Sequence, residues 1–301
     1  MIDETRRELA AFMEDSGKTQ RQVSKELGFS TAVVSQFLSG SYSGDNKEVE
    51  RSVKRYLSIG KERLNIVKST VFLEDLYNTR EALVICSYAH RRNEIALLCG
   101  DAGAGKTTAF RFYEKKNVGV IMVTANACTT TAVAILGLIC EKLGKPVPGR
   151  RAQLMKLLVQ LLTGTNRLII IDEADHLSLD ALQSIRNLND EAGVGVVLSG
   201  NNKLYKQMKD HRRGYEFDQL RTRIVLRKKV YNEYTADEIQ GIFPGADEGS
   251  AAFLLRMAQA ESLRTACKMY EIAGESAGSN GSVTLSLLKK VQQQLFNDAS
   301  F

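Results

Sequence analysis

Tryptophan is absent from the 301-residue chain, and proline and histidine occur only three times each. No apolar run approaches the roughly 20 residues that a bilayer span needs, and residues 1–10 are too polar and charged for a secretory signal peptide. The five cysteines are scattered without any Cys-x-x-Cys pair, so neither a disulfide framework nor a zinc site is expected. These absences argue against secreted and membrane classes and predict a protein of the reducing cytoplasm, with no membrane partner.

What the chain does have is an ordinary globular composition with an uneven distribution of charge. Apolar residues make up 44% and charged residues 25% of a length that accommodates two or three domains. The net charge is 0 over residues 1–60, +10 over residues 61–230 and −4 over residues 231–301. A basic middle section attracts polyanions such as nucleic acid, but a basic surface that only keeps a protein in solution has the same composition.

Residues 1–58 have the pattern of a small all-α domain that contains a helix-turn-helix. Apolar residues at helical spacing predict helices over 20–27 and 31–38, and Gly28 between them permits the positive φ of a sharp turn. A closing helix over 46–57 would complete the bundle. A small DNA-binding or protein-docking domain is therefore expected at the N-terminus.

After a linker over 59–68, residues 69–230 have the pattern of an α/β core with a parallel sheet. Continuous apolar runs of this kind are typical of strands that are buried on both faces. The predicted strands cover residues 95–99, 118–123, 168–171 and 194–198, and helices between them include 108–116, 131–143 and 153–162. Residues 231–301 have no strand pattern and form a helical C-terminal lid domain. Its predicted helices cover residues 235–242, 249–260, 262–273 and 282–296, with a flexible joint over 274–281.

The strongest chemical signal is the sequence GDAGAGKT over residues 100–107, which matches the pattern G-x-x-x-x-G-K-[ST] in full. It follows a predicted strand and precedes a predicted helix, which is the context that a phosphate-binding loop requires. The glycines let backbone N–H groups surround phosphate oxygens, and the helix N-terminus adds its dipole. Lys106 is expected to reach the β- and γ-phosphates, and Thr107 to bind magnesium.

Two carboxylates, Asp172 and Glu173, follow the apolar run 168–171, at the strand end where ligands of open α/β sheets bind. Asp172 is expected to hold magnesium through water, and Glu173 to polarise the attacking water. Asn201, at the end of the next strand, could hydrogen-bond that water or the γ-phosphate, although an Asn at such a position is often only part of a turn.

Three arginines could stabilise charge on the transferring phosphoryl group. Arg221 and Arg223 stand close together, and either could be an arginine finger that acts on the nucleotide of a neighbouring subunit. The alternative for each is membership of a basic surface cluster. Arg264, in a helix of the lid, could fold over the nucleotide.

The order of these parts resembles an AAA+ ATPase with a helical lid, and more narrowly the Mu B family of phage transposition ATPases. The resemblance covers nearly the whole length and includes an N-terminal helix-turn-helix, an uncommon addition to this core. The segments that carry it are LGFSTAVVSQFLSGSYSGDN, GDAGAGKT, IIIDEADHL, GVVLSGNNKLY, LRTRI and ESLRTACKMYEIA.

The resemblance implies an ATP-dependent protein that binds double-stranded DNA with little sequence preference, assembles on it as a helical filament and presents it to a transposase for strand transfer. It implies ATP and Mg²⁺ as cofactors, with Thr107 and Asp172 at the metal. It assigns catalytic roles to Glu173, Asn201 as γ-phosphate sensor, Arg223 as finger and Arg264 as lid sensor, while Arg221 stays an alternative finger. The nucleotide-binding residues would be Gly100, Asp101, Ala102, Gly103, Ala104, Gly105, Lys106, Thr107 and Thr108.

Candidate DNA contacts come from three segments, because Lys and Arg bind phosphates of any sequence. A solvated basic face is the competing interpretation for two of them, and weak binding or protein docking for the neutral N-terminal domain. The candidates are Lys203, Lys206, Lys209, Arg212 and Arg213 in the first segment, Arg150 and Arg151 in the second, and Thr31, Ser35 and Gln36 in the helix-turn-helix.

Two other functions are compatible with the same parts. One is a sequence-specific transcriptional regulator in which the ATPase module is a switch, and the other is a helicase loader. All three predict ATP hydrolysis, so ATPase activity alone does not distinguish them.

Overall fold

A computed structural model describes residues 2–65, 70–147, 149–209, 214–277 and 282–296. The chain divides into two compact units, one of residues 1–68 with 274–281 and one of residues 69–273 with 282–301. Within the described ranges, no helix is both long enough and apolar enough to cross a bilayer.

In the first unit, the described residues 2–65 form four helices around a small apolar core. They are α1 (Ile2–Ser16), α2 (Gln20–Leu27), α3 (Thr31–Ser39) and α4 (Asn46–Asn65). Thr19 and Ser30 cap α2 and α3, and Gly28 ends α2 in the left-handed region at φ 76°. Leu9 and Phe37 are among the buried side chains that join the helices. The predicted pair of helices around Gly28 is therefore confirmed.

Helix α4 differs from its prediction, because it continues to Asn65 instead of ending near residue 57. The expected linker over 59–68 is therefore helical over its first seven residues, and residues 66–68 lie outside the described residues. Residues 61–65 contain neither glycine nor proline, so no strong helix breaker ends α4 before Asn65.

The second unit contains a five-stranded, parallel sheet in the order β2-β3-β4-β1-β5. The strands are β1 (Ile95–Gly100), β2 (Val120–Thr124), β3 (Leu168–Asp172), β4 (Gly195–Gly200) and β5 (Ile224–Val230). Every residue of β1, β3 and β4 is buried, as the continuous apolar runs predict. Alternate residues of β1 face opposite sides, so Leu97 joins one apolar core and Leu98 the other.

Helices cover both faces of this sheet. They are α5 (Tyr77–Arg92), α6 (Lys106–Lys116), α7 (Ala132–Lys142), α8 (Arg151–Leu162), α9 (Leu179–Ala192), α10 (Asn202–Lys209) and α11 (Gly214–Arg223). Side chains of α5 and α6 pack into the core that contains Leu98, and side chains of α7, α8 and α9 into the core that contains Leu97. Because the strands are parallel, their carboxyl ends lie together at one end of the sheet, where the phosphate loop begins.

In the described residues after β5 there are four helices, as the sequence predicts for the lid. They are α12 (Ala236–Ile242), α13 (Glu248–Ala260), α14 (Leu263–Ala277) and α15 (Leu285–Leu295). They share an apolar core that includes Phe243, Leu254 and Met269. The predicted joint over 274–281 is wrong in its first half, because α14 runs on to Ala277. The remainder of the joint lies outside the described residues.

Strand β5 was not among the predicted strands, because three cations interrupt its apolar pattern. Each cation has a partner in another element: Arg227 donates to the Arg221 carbonyl oxygen at 2.6 Å, and Lys228 pairs with Glu81 at 2.8 Å. The Lys229 ammonium lies 4.3 Å from the centre of the Tyr205 ring. The strand forms an edge of the sheet, where charged residues are common because they discourage pairing with other chains.

Candidate functional site

The phosphate loop connects the end of β1 to the start of α6. Gly103 and Gly105 have φ values of 75° and 90°, which only glycine adopts without strain. Gly105 is the N-cap of α6 and no side chain caps the helix, so its first N–H groups are open to an anion. Thr108 lies exposed in the first turn of the same helix. The local geometry thus fits a bound phosphate group.

Lys106 lies within the loop and folds back onto its backbone. Its Nζ donates to the carbonyl oxygens of Gly100 at 3.0 Å and Asp101 at 2.7 Å. Burial lowers the pKa of Lys106, and the charge of Asp172 opposes that shift. A phosphate that entered the loop would offer this half-buried ammonium a stronger, charged acceptor than two carbonyls.

The side chain of Asp101 is held by two asparagines from outside the loop. Asn202 Nδ2 donates to its Oδ1 at 3.2 Å, and the Asn232 backbone N–H donates to its Oδ2 at 3.1 Å. One of these residues follows β4 and the other follows β5. The start of the loop is therefore fixed to both strands that flank β1.

Asp172, the last residue of β3, is almost fully buried at 2% exposure. Its Oδ2 accepts the Thr107 hydroxyl at 2.6 Å, and its Oδ1 accepts the Ser199 hydroxyl at 3.0 Å and the Glu173 N–H at 3.1 Å. The hydroxyl and the carboxylate are hard oxygen donors, which suit Mg²⁺ when phosphate and water complete its shell. Sequence reasoning missed Ser199, because a serine at a strand end has no distinctive spacing.

Glu173 follows in the left-handed region at φ 55°, a conformation that is uncommon for a residue other than glycine. Its side chain is exposed and lies 3.7 Å from the His176 ring. Such backbone strain is frequent at active sites, where surrounding bonds hold it. The turn directs the chain away from β3 and leaves the Glu173 carboxylate accessible at the carboxyl end of that strand.

Asn201 is oriented by a residue that sequence reasoning did not assign, Asp175. The Asn201 backbone N–H donates to Asp175 Oδ1 at 3.1 Å, and its Nδ2 donates to Oδ2 at 2.7 Å. Gly200 permits this approach, since a Cβ there would lie 2.7 Å from Asp175 Oδ1. The motif DEAD supplied the signal, but only the fold brings its last residue against the end of β4.

The N-terminal end of α14 contacts the phosphate loop. The Arg264 backbone N–H donates to the Gly103 carbonyl oxygen at 3.3 Å, and a Cβ on Gly103 would lie 2.6 Å from the Ser262 Cβ. The Arg264 side chain is exposed. The lid helix and the loop are thus direct neighbours within one compact unit.

Arg221 and Arg223 lie apart from this group, near the end of α11. Arg223 Nε pairs with Asp190 at 3.0 Å, and Arg221 pairs with Asp218 at 2.8 Å. In the sheet register Ile224 pairs with Ile95, the first residue of β1, whereas the loop follows the last. Six residues of strand span about 20 Å, so the described position of Arg223 is remote from the nucleotide loop of its own chain.

The candidate DNA contacts differ in their surroundings. Thr31, Ser35 and Gln36 are exposed on α3, and Lys203 and Lys206 are exposed on α10. Arg150 is exposed as well, but Arg151 donates to both carboxylate oxygens of Asp180 at 2.6 and 2.9 Å, which compensates its charge. The side chain of Lys209, and Arg212 and Arg213 as a whole, lie outside the described residues.

Comparison with known proteins identifies the domain family of the core and several similar proteins. An AAA domain model matches residues 89–208. The chain is 32% identical over 237 residues to the ATP-dependent target DNA activator B of Escherichia phage Mu, across 78% of this chain and 76% of that protein. The same values hold for the protein of that name from Escherichia phage D108. A Mu-like prophage FluMu DNA transposition protein B from Haemophilus influenzae is 32% identical over 232 residues, across 76% of this chain and 80% of that protein. The AAA fold expected from the sequence is confirmed, and the chain is an ATPase.

Proposed function

The chain belongs to the family of the phage Mu target DNA activator B, and from that premise we propose that it binds target DNA in an ATP-dependent manner for transposition. In this proposal it assembles as a filament on double-stranded DNA with little sequence preference, delivers the DNA to a transposase and stimulates strand transfer. The DNA and the transposase would meet the protein in the bacterial cytoplasm. The convergence of Lys106, Thr107 and Asp172 at one loop carries the nucleotide part of the proposal.

ATP and Mg²⁺ are the proposed cofactors. The loop N–H groups from Gly103 to Thr107 would bind the β-phosphate, and Lys106 would exchange its two carbonyl partners for phosphate oxygens. Thr107 and Asp172 would hold Mg²⁺, whose charge neutralises the phosphates when it is bound. Their existing 2.6 Å hydrogen bond supports this, because it brings both oxygen donors to one point.

Hydrolysis would use side chains at the ends of β3 and β4. Glu173 would orient the attacking water and accept hydrogen bonds from it, since its carboxylate is exposed at the carboxyl end of β3. Asn201, held by Asp175, would contact the γ-phosphate. Arg264 would approach the phosphates from the lid, where the first turn of α14 already contacts Gly103.

Arg223 is the proposed finger, and it would act between subunits. Its remoteness from the loop of its own chain favours action on a neighbour over action within one chain. Such a finger requires self-association, which the filament supplies. ATP turnover would then depend on assembly.

DNA binding would draw on more than one surface. Lys203, Lys206 and Arg150 are exposed cations of the ATPase unit, and such side chains contact phosphates of any sequence. We propose an auxiliary role for Thr31, Ser35 and Gln36, because residues 1–60 have no net charge. Residues 1–58, 69–230 and 231–301 would accordingly form the helix-turn-helix, ATPase and lid domains.

Electron microscopy of negatively stained samples tests the proposal directly. The protein is mixed with random-sequence duplex DNA in the presence of ATP, ADP or no nucleotide, alongside the variants Lys106→Ala and Lys116→Ala. Lys116 serves as the matched control, because it is an exposed cation at the opposite end of α6. We expect DNA-coating filaments with ATP only, lost in Lys106→Ala and kept in Lys116→Ala. Binding to one defined site without nucleotide would refute the proposal in favour of a transcriptional regulator, and ATP-dependent binding to a replicative helicase would favour a loader.

A further inference from the structure

Three consecutive carbonyl oxygens of the phosphate loop each accept a hydrogen bond from another segment, and we call the side of the loop on which these donors lie its outer side. We call Ala102, Gly103 and Ala104 the carbonyl rim. Asn232 Nδ2 donates to Ala102 at 3.1 Å, the Arg264 N–H to Gly103 at 3.3 Å, and Asn78 Nδ2 to Ala104 at 3.4 Å. Because each peptide unit directs its C=O opposite to its N–H, bonds to these oxygens orient loop N–H groups toward the phosphate side.

Asn232 has the widest set of partners among these donors. Its backbone N–H donates to Asp101 Oδ2, and its side-chain amide donates to Ala102 and, at 3.4 Å, to the Glu261 carbonyl oxygen. Glu261 is the C-cap of α13 and stands at the corner where the chain turns into α14. One amide group thus bridges the phosphate loop and the corner of the lid.

Asn232 lies at the point in the chain where the sheet is connected to the lid. The residue lies between β5 and α12, in the short connection through which the chain leaves the sheet and enters the lid. Asn78 holds the backbone of the preceding residue, Tyr231, through two hydrogen bonds. Its Oδ1 accepts the Tyr231 N–H at 3.2 Å, and its Nδ2 donates to the Tyr231 carbonyl oxygen at 2.7 Å. The connection is therefore fixed on the core side, and the Asn232 amide is the part that reaches across to Glu261.

We propose that Asn232 is a positioning residue that couples the lid to the phosphate loop and thereby slows nucleotide release. This inference rests on the proposed nucleotide site. While the Asn232 amide holds Glu261 beside Ala102, the corner of the lid stays against the loop, and the Arg264 N–H remains within reach of Gly103. If the lid moves away from the loop, the hydrogen bond from Asn232 to Glu261 and the bond from the Arg264 N–H to Gly103 break. Fewer donors then hold the carbonyl rim in its orientation.

Release of a fluorescent ADP analogue tests the coupling in the full-length protein. The protein is preloaded with the N-methylanthraniloyl derivative of ADP and mixed rapidly with excess unlabelled ADP. Asn232→Ala removes the two hydrogen bonds that the amide donates, and also the 3.4 Å bond that its Oδ1 accepts from the Tyr234 hydroxyl. Because such bonds have modest net strength, we expect release about tenfold faster than in the unaltered protein. Asn117→Ala is the matched control, because Asn117 Nδ2 also donates to a backbone carbonyl, that of Tyr113, at the far end of α6. It should release the analogue at the unaltered rate.

A second variant separates hydrogen bonding from packing. Asn232→Asp keeps the shape of the side chain but replaces the NH₂ donor by an oxygen that faces the carbonyl oxygens of Ala102 and Glu261. If the amide acts as a donor, Asn232→Asp releases the analogue at least as fast as Asn232→Ala. Slow release by Asn232→Asp with fast release by Asn232→Ala would overturn the proposal, since only volume would then matter.

The outcome also separates this inference from the proposed function. Unaltered release by Asn232→Ala, in a protein whose parent forms ATP-dependent filaments, would overturn the inference alone. Fast release by Asn232→Ala in a protein that forms no filaments on DNA would support the inference and refute the filament. A parent protein that binds no ADP would refute both.

Discussion

Substitution of Arg223 by alanine distinguishes its role on the surface from its proposed role in catalysis. The ion pair of Arg223 with Asp190 is 3.0 Å long, but the Arg223 side chain is 55% exposed, so water and salt weaken it. An exposed pair of this kind contributes at most about 1 kcal/mol to the free energy of unfolding. An arginine finger contributes roughly a thousandfold or more to the hydrolysis rate, or about 4 kcal/mol of barrier. A finger therefore predicts a large loss of rate with little loss of stability.

The assay measures ATP turnover on saturating duplex DNA together with urea unfolding of the same preparations. Arg221→Ala is the internal control, because Arg221 has a comparable pair with Asp218 and is 46% exposed. We expect turnover to fall about a thousandfold in Arg223→Ala and much less in Arg221→Ala, with unfolding midpoints close to that of the parent. The opposite order would assign the finger to Arg221.

Mixing two inactive variants tests whether the arginine acts across a subunit boundary. Arg223→Ala keeps an intact nucleotide site, and Glu173→Gln keeps both its finger and the phosphate loop that assembly requires. A boundary between them can therefore combine an intact nucleotide site with an intact arginine. About 20 Å of strand separates the two sites in one chain. We expect the mixture to recover turnover that neither variant has alone. A mixture as inactive as its components, with filaments still formed, would refute a finger that acts between subunits.

Two further predictions concern the nucleotide site itself. Asp175→Asn turns one of the two carboxylate oxygens that accept hydrogen bonds from Asn201 into an NH₂ donor, so one of the two bonds is lost. In steady-state kinetics it should lower turnover at saturating ATP tenfold or more with little change in KM. Asp180→Asn is the control, because the Asp180 carboxylate binds Arg151 instead, and it should leave turnover unchanged. Burial lowers the pKa of Lys106 from its ordinary value of 10.5, so the unfolded chain binds more protons there and stability should rise with pH between the lowered pKa and 10.5. Relative to Lys106→Met, nucleotide-free protein should gain stability over that interval in urea titrations, and a constant difference would contradict the shift.

The parts of the fold that the sequence predicted are those that local pattern determines. The phosphate loop was found together with its flanks, because β1 and α6 each have an unambiguous pattern next to the glycines. The four lid helices were found for the same reason. Strand β5 was missed because its cations Arg227, Lys228 and Lys229 hide the period of a strand, and their partners come from other elements. A pattern restricted to one segment contains no information about those partners.

The site residues that sequence reasoning missed act through contacts that only the tertiary structure creates. Ser199 and Asp175 are common residue types at strand and turn positions, and they gain importance by contacting Asp172 and Asn201. Asn232 is similar, because its partners lie about 130 and 29 residues away in the chain. The two arginines, in contrast, were visible as candidates, and the resemblance favoured Arg223 with Arg221 as the alternative. Their partners, Asp190 and Asp218, were not predicted.

Neutral amides, instead of cations, bind the outer side of the phosphate loop, and this choice has an electrostatic reason. A lysine or arginine at the position of Asn78, Asn202 or Asn232 would also donate to the loop, through a stronger charged bond. It would, however, place positive charge on the outer side, where it would compete with Lys106 and the N-terminus of α6 for the phosphates. Amides satisfy the carbonyl rim and Asp101 without that competition. The attraction for a triphosphate thus stays on the inner side, where the Thr107 hydroxyl and the Asp172 carboxylate also lie.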